Sequence, residues 1–263
     1  MPAARRTGKI HADVAFPASR RRSAAASSQE IKLNLLLAAL PDAELKRWLP
    51  ALELIEMPLG HVLYESHGSE PYVYFPTSAI VSLLYVMKNG DAVEIAVVGN
   101  EGMVGIPLIM GGNSTPSRAV VQSAGKGYRL QAQTMKDAFE RSGPVAHLLL
   151  RYTQALITQM SQIAACNRHH SLDQQLCRWL LLSLDRLPGN ELVMTQEMIA
   201  DALGVRREGV TEGARKLQKA GLIRYSRGRI TVLHRKGLEQ RVCECYAVVQ
   251  EEYDRLLPME LAA

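Results

Sequence analysis

The sequence predicts an α+β chain in three parts: an N-terminal antiparallel β-roll, one long helix, and a C-terminal helix–turn–helix followed by a basic hairpin. Three observations carry this. Asn89-Gly90 separates two β-patterned runs, 80–87 and 92–98, and this dipeptide is the strongest short hairpin signal because both residues tolerate positive φ. Val145, Leu149, Tyr152, Leu156 and Ile163 recur at helical three- and four-residue steps, with Gln159 as the polar interruption. Thr195, Gly204 and a periodic segment over 206–220 stand in the order N-cap, left-handed turn residue, second helix.

Taken in chain order, residues 1–28 are rich in Arg, Ala and Ser without hydrophobic period and read as a disordered basic tail. A short amphipathic segment over 33–54 is broken at Pro41-Asp42, with Asp42 as the expected cap of the helix that follows. Between 57 and about 133 short β-rich runs alternate with turn residues, among them the Gly-rich corner 99–102. Strands at that spacing predict a roll, jelly roll or barrel, so the first folded domain is placed at 29–143. A dimerisation helix is expected at 144–170, because a helix of that length outruns a small domain and its apolar stripe needs a partner, the alternative being a helix packed on its own β-domain. Ser171 caps the next helix, 171–240 is the expected DNA-binding domain, and 241–263 a C-terminal helix.

Charge points to the same end of the chain. The net +5 resides entirely in residues 1–28, but 195–241 carry eleven Lys or Arg against five Asp or Glu, a local excess suited to a polyanion. No run of eighteen apolar residues occurs, so no membrane partner is expected and the protein is placed in the cytoplasm. Reduced thiols are expected for the four cysteines. Cys243-x-Cys245 lacks spaced partners for a metal, and Cys166 stands near His169 and His170, which point apart on a helix; no metal set is expected.

The C-terminal constellation has steric reasons. Ala200 lies where two helices must cross closely, Gly204 supplies the left-handed turn, and Val205, Val210 and Leu217 fill the shared core. Gly221-Leu-Ile223 leads into a tight hairpin over 224–233 whose tip carries Arg227, Gly228 and Arg229, suited to phosphate contact. Gly209 and Gly213 each cost about 1 kcal/mol relative to Ala inside a helix, so the second helix depends on packing or on DNA for its order.

The stretch from Thr195 through Val210, with Gly221-Leu-Ile-Arg224 and Gly228-Arg-Ile230, resembles the winged helix-turn-helix of the Crp/Fnr superfamily over residues 30 to about 240. The resemblance implies a cyclic-nucleotide-binding-like roll and a homodimeric transcription regulator on a palindromic site, not an enzyme. Its partners are double-stranded DNA, a second copy of the chain and, for an activator, RNA polymerase. It places Arg207 and Glu208 at base edges; Thr195, Gln196, Arg206, Thr211, Arg215, Arg227 and Arg229 complete the expected DNA-facing set. Glu212 departs from the family pattern, which has an arginine there. The resemblance also puts a ligand pocket at Gly105, Ile106, Arg118 and Ala119, but Ile106 and Ala119 stand where a Glu and a hydroxyl residue hold a cyclic nucleotide, so no cofactor is expected. An iron–sulfur centre is not expected either, since no cysteine precedes Cys166. The competing expectation is a cupin-like metal enzyme with an accessory helical domain, built on His61, Glu65 and His67 at alternating positions of an edge strand.

Overall fold

The computed structural model describes residues 28–141 and 143–257. The expected basic tail, apart from Ser28, lies outside them, as do residues 258–263 of the expected C-terminal helix. Three short helices open the fold: α1 (Ser28–Ile31), α2 (Leu35–Ala38) and α3 (Asp42–Trp48). Asp42 is the first residue of α3 rather than its cap; Pro41 holds the cap position, its fixed φ of −55° setting the entry to the first turn.

Seven strands form the roll: β1 (Glu53–Met57), β2 (Val62–Tyr64), β3 (Tyr72–Pro76), β4 (Ile80–Val86), β5 (Ala92–Val98), β6 (Ser117–Ser123) and β7 (Gly125–Gln131). They make two antiparallel sheets, ordered β1-β7-β3 and β2-β6-β4-β5. The inner faces enclose Met57, Val73, Phe75, Val81, Ala119, Val121, Tyr128 and Leu130, all essentially without solvent contact. The hairpin expected at Asn89-Gly90 joins β4 to β5 with Val86 opposite Ala92, so its loop is longer than a two-residue turn. Of the pair only Gly90 has positive φ, at 91°; Asn89 instead accepts the Asp91 N–H on its side chain at 3.1 Å.

Helix α4 (Ala132–Glu140) leads to α5 (Pro144–His169), 26 residues long. Here one expectation is corrected. Val145, Leu149, Tyr152, Leu156 and Ile163 are all buried inside their own chain, the first four packed into the core of the roll. The Tyr152 hydroxyl donates to the Met103 carbonyl at 2.9 Å. Gln159, the polar interruption, accepts the Val97 N–H at 2.6 Å and donates to the Tyr253 hydroxyl at 3.1 Å. The apolar stripe thus has its partner within one subunit, and it is not a dimer seam. Gly102 makes the approach possible: a Cβ there would lie 2.4–2.6 Å from the Tyr152 ring and hydroxyl.

The head comprises α6 (Leu172–Leu184), β8 (Glu191–Val193), α7 (Gln196–Leu203), α8 (Arg207–Lys219), β9 (Ile223–Ser226), β10 (Arg229–Val232) and α9 (Arg235–Glu239). Its own core runs from Leu176 to Leu238. The last helix, α10 (Cys245–Leu256), returns to lie along α5. A small cluster of Ile80, Val97, Leu182 and Val249 joins roll, head and α10. Among the described residues no helix is long and apolar enough to cross a membrane.

Candidate nucleic-acid interface

Each helix of the head starts and stops where its residues dictate. Ser171 and Gln174 form a reciprocal capping box on α6. The Thr195 hydroxyl accepts the Met198 N–H at 3.2 Å to cap α7, and Gly204 ends it in the left-handed region at φ 64°. Gly209 and Gly213 let α8 lie close to α6: a Cβ at either would come within 2.9 Å and 3.2 Å of Leu172 and Leu176. Their cost in helix propensity is therefore offset by packing. Strands β8, β10 and β9 form a three-stranded antiparallel sheet, with Arg227 (φ 50°) and Gly228 (φ 73°) at the turn of its outer hairpin.

Four of the expected DNA-facing residues, Thr195, Gln196, Arg207 and Arg227, come together. Thr195, Gln196, Arg207, Tyr225, Ser226, Arg227 and Gly228 line a single open cleft of about 300 Å³ between the first turn of α7, the start of α8 and the hairpin tip. Arg206, Arg207, Glu208, Arg215, Arg227 and Arg229 are exposed. Two of the expected residues are engaged with each other: the Thr211 hydroxyl donates to Gln196 Oε1 at 2.8 Å, tying α8 to α7. Arg207 has only a loose contact with Glu197, at 4.0 Å. Arg229, by contrast, is held by Glu191 on β8 at 2.7 Å. Lys216 answers Glu212 at 3.0 Å, so the glutamate that departs from the family pattern is paired along its own helix. Tyr225 and Ser226 escaped the sequence reading, since nothing local distinguishes them from any strand residue. Tyr225 donates to the Met194 carbonyl at 3.0 Å, and burial raises its phenol pKa, against the lowering influence of Arg207.

The roll's candidate pocket looks different from a prepared ligand site. Gly105 has φ 119° and Ile106 and Ala119 are buried. Arg118 makes an ion pair with Glu65 at 3.1 Å. Glu70, not singled out from sequence, is buried, and desolvation pushes its carboxyl up to about 7. The cupin-like expectation fails on geometry: β2 is only Val62–Tyr64, so His61 and Glu65 flank it, and His67 occupies a left-handed turn position at φ 61°. These three are not brought together. The donor group that does form among the described residues is Cys166, His170, Cys243 and Cys245. The expectation that Cys243-x-Cys245 lacks partners is thereby corrected, because the end of α5 and its C-cap deliver the other two from some 75 residues away.

Residues 174–241 match the family model described as a Crp-like helix-turn-helix domain. Residues 174–241 are thus a Crp-like helix-turn-helix domain. Among solved structures, FixK2 from Bradyrhizobium japonicum matches at TM-score 0.62 and 16% identity, covering 73% of this chain and 98% of that one. A protein from Eubacterium rectale described as a transcriptional regulator of the crp/fnr family matches at 0.61 and 22%, covering 80% and 98%. A CRP-family transcriptional regulator from Thermus thermophilus matches at 0.60 and 18%, covering 71% and 95%. At these identities the likeness establishes the fold, while the domain match assigns the head to DNA binding in transcription regulation. No curated protein matches the chain in sequence.

Proposed function

We propose that this chain is a regulator of the Crp/Fnr type that binds a palindromic DNA site as a homodimer, without a cyclic nucleotide. The observation that carries the reading is the convergence of Arg207, Arg227 and the first turn of α7 on one exposed cleft. Arg207 opens α8, whose start faces outward, and a guanidinium there can meet guanine O6 and N7 together in a major groove. Arg227 at the hairpin tip is placed to meet the flanking phosphate backbone.

The dimer forms through the other face of α5. Leu150 and Ile157 stand about half exposed, and with Gln154, Ser161 and Ala164 they make an exposed stripe at steps of four and three, the spacing of a two-chain seam. Two heads related by a two-fold axis read half-sites about one helical turn, ~34 Å, or a multiple apart. Independence from cyclic nucleotide follows from the roll: Arg118 is committed to Glu65, and Ile106 and Ala119 offer no polar side-chain group to a ribose or phosphate.

Selection of bound duplexes from a random pool tests this. Enrichment of an inverted repeat, bound in a ratio of two chains per duplex with or without cyclic AMP, is the expected result. Enrichment of a single unrepeated motif, or a requirement for the nucleotide, would overturn it.

A further inference from the structure

Four side chains from two distant stretches meet at the joint between α5 and α6. Cys166 lies in the last turn of α5 and His170 is its C-cap, one residue before the cap of α6. Cys243 comes from the turn between α9 and α10, and Cys245 is the first residue of α10. Their four donor atoms all lie within 4.8 Å of one another, and all three thiols are free and buried.

We propose that Cys166, His170, Cys243 and Cys245 bind one zinc ion per chain in a closed Cys3His site that pins the joint between roll and head. Three features of the geometry favour this. The first is spacing. With Zn–S of about 2.3 Å and Zn–N of about 2.0–2.1 Å, tetrahedral angles put thiolates about 3.8 Å apart and a thiolate about 3.6 Å from an imidazole nitrogen. Cys166 and Cys243 sulfurs stand 3.5 Å apart, and Cys245 Sγ is 3.5 Å from His170 Nδ1. Donors this close fit one ion rather than a polynuclear cluster, and a disulfide would use two sulfurs and leave the other two donors without a role.

The second feature is the orientation of the imidazole. His170 Nε2 lies 3.3 Å from Glu244 Oε1. A carboxylate that accepts a hydrogen bond from Nε2–H fixes the proton there and leaves the Nδ1 lone pair for the metal, the arrangement by which ligating histidines are commonly held. The third is charge. Three thiolates and Zn²⁺ sum to −1, and the buried Arg178 lies within Coulombic reach of Cys166. Its hydrogen bond to Asn167 is long, at 3.5 Å, while Nε and Nη1 have no hydrogen-bond partner among the described residues. A buried cation of this kind calls for an anionic neighbour. The donor set itself, three buried thiols with one partly exposed imidazole, selects zinc over hard, oxygen-seeking cations.

The test uses the full untagged chain, purified under reducing conditions. Elemental analysis after gel filtration is expected to give one zinc per chain. The metal-free protein should take up one equivalent of Co²⁺ with the intense visible bands and thiolate charge-transfer absorption of a tetrahedral thiolate complex, bleached by added Zn²⁺. Cys243→Ser combined with Cys245→Ser should abolish uptake, Cys177→Ala should leave it intact, and Glu244→Gln should weaken zinc affinity by about 10–100-fold. Should the double variant fail to fold, the cobalt titration of the unsubstituted chain still decides. No zinc as isolated together with no saturable Co²⁺ uptake after full reduction would overturn the proposal, as would uptake that survives the double substitution. None of these readouts involves DNA, so their outcome stands apart from the reading of the head.

Discussion

Arg227 and Arg229 sit either side of the tip glycine of one hairpin, yet the structure gives them different freedom. Arg229 is locked to Glu191 at 2.7 Å across the sheet, while Arg227 borders the open cleft. From sequence both looked alike as phosphate contacts, because the partner of Arg229 lies 38 residues away and no local pattern announces it. Arg227→Ala is therefore expected to reduce the slope of log affinity against log salt by roughly one unit per lost phosphate contact in each subunit, and to weaken all sequences alike. Arg229→Ala should change the slope less, because Glu191 already neutralises the charge. Arg207→Ala should do something else: relax preference at one symmetric pair of positions, at about 1–3 kcal/mol, and spare binding to random duplex. Anisotropy titrations over a salt series, on the selected site and its single-base variants, separate the three; a uniform loss for Arg207→Ala would remove it from base readout.

At the scale of single elements, α5 shows what a period can and cannot tell. The three-four repeat of Val145, Leu149, Tyr152, Leu156 and Ile163 correctly marked one face of a long helix, but a stripe does not say whether its cover comes from the same chain. The roll covers it. The complementary stripe, Leu150 to Ala164, is diluted by Gln154 and Ser161 and so drew no notice in sequence. Neighbouring substitutions should consequently diverge. Leu156→Glu buries an unpartnered carboxyl in the roll core and should cost about 3 kcal/mol or more, seen as loss of cooperative unfolding in urea. Ile157→Glu should leave a folded chain that sediments as a monomer and binds the selected site weakly. A dimer persisting in Ile157→Glu would put the interface elsewhere. The Gly-rich corner at 99–102 was legible as a turn, but its role in docking was not: Gly102→Ala should destabilise the chain by about 1–3 kcal/mol through overpacking against Tyr152, measurable as a lower urea midpoint at unchanged slope.

Across the whole molecule, the order roll, long helix, head could be read from strand spacing, helical period and turn residues, because each is a local signal. The surface on which roll and head meet could not, since its residues, a small apolar cluster beside a buried polar chain, are scattered and far apart in sequence. Ser82 and Glu94 on β4 and β5, Gln122 on β6 and Ser183 on α6 form one buried hydrogen-bonded chain, with O···O or N···O distances of 2.5, 2.8 and 3.3 Å. Ser82 has a single hydroxyl proton. If it donates to Gln122 Oε1, Glu94 must be the donor to Ser82, which requires a protonated carboxyl; burial accordingly pushes Glu94 up to about 7, against the lowering influence of the Ser82 hydrogen bond, Arg178 and Arg186. Because the folded-state pKa is raised above the ordinary 4.5, the folded chain holds this proton while the unfolded chain has released it. The resulting stabilisation is present below pH 4.5, is lost as pH rises to about 7, and is gone above it. Glu70, raised for the same reason, adds a decline of the same sign. Glu94→Gln keeps a donor for Ser82 without an ionisable group, so it should leave stability near pH 5 about unchanged and raise it at about pH 8 by about 1–3 kcal/mol. Urea unfolding at both pH values measures this. A variant with the same loss between those two pH values as the unsubstituted chain would show that the proton at the roll–head surface resides on another group.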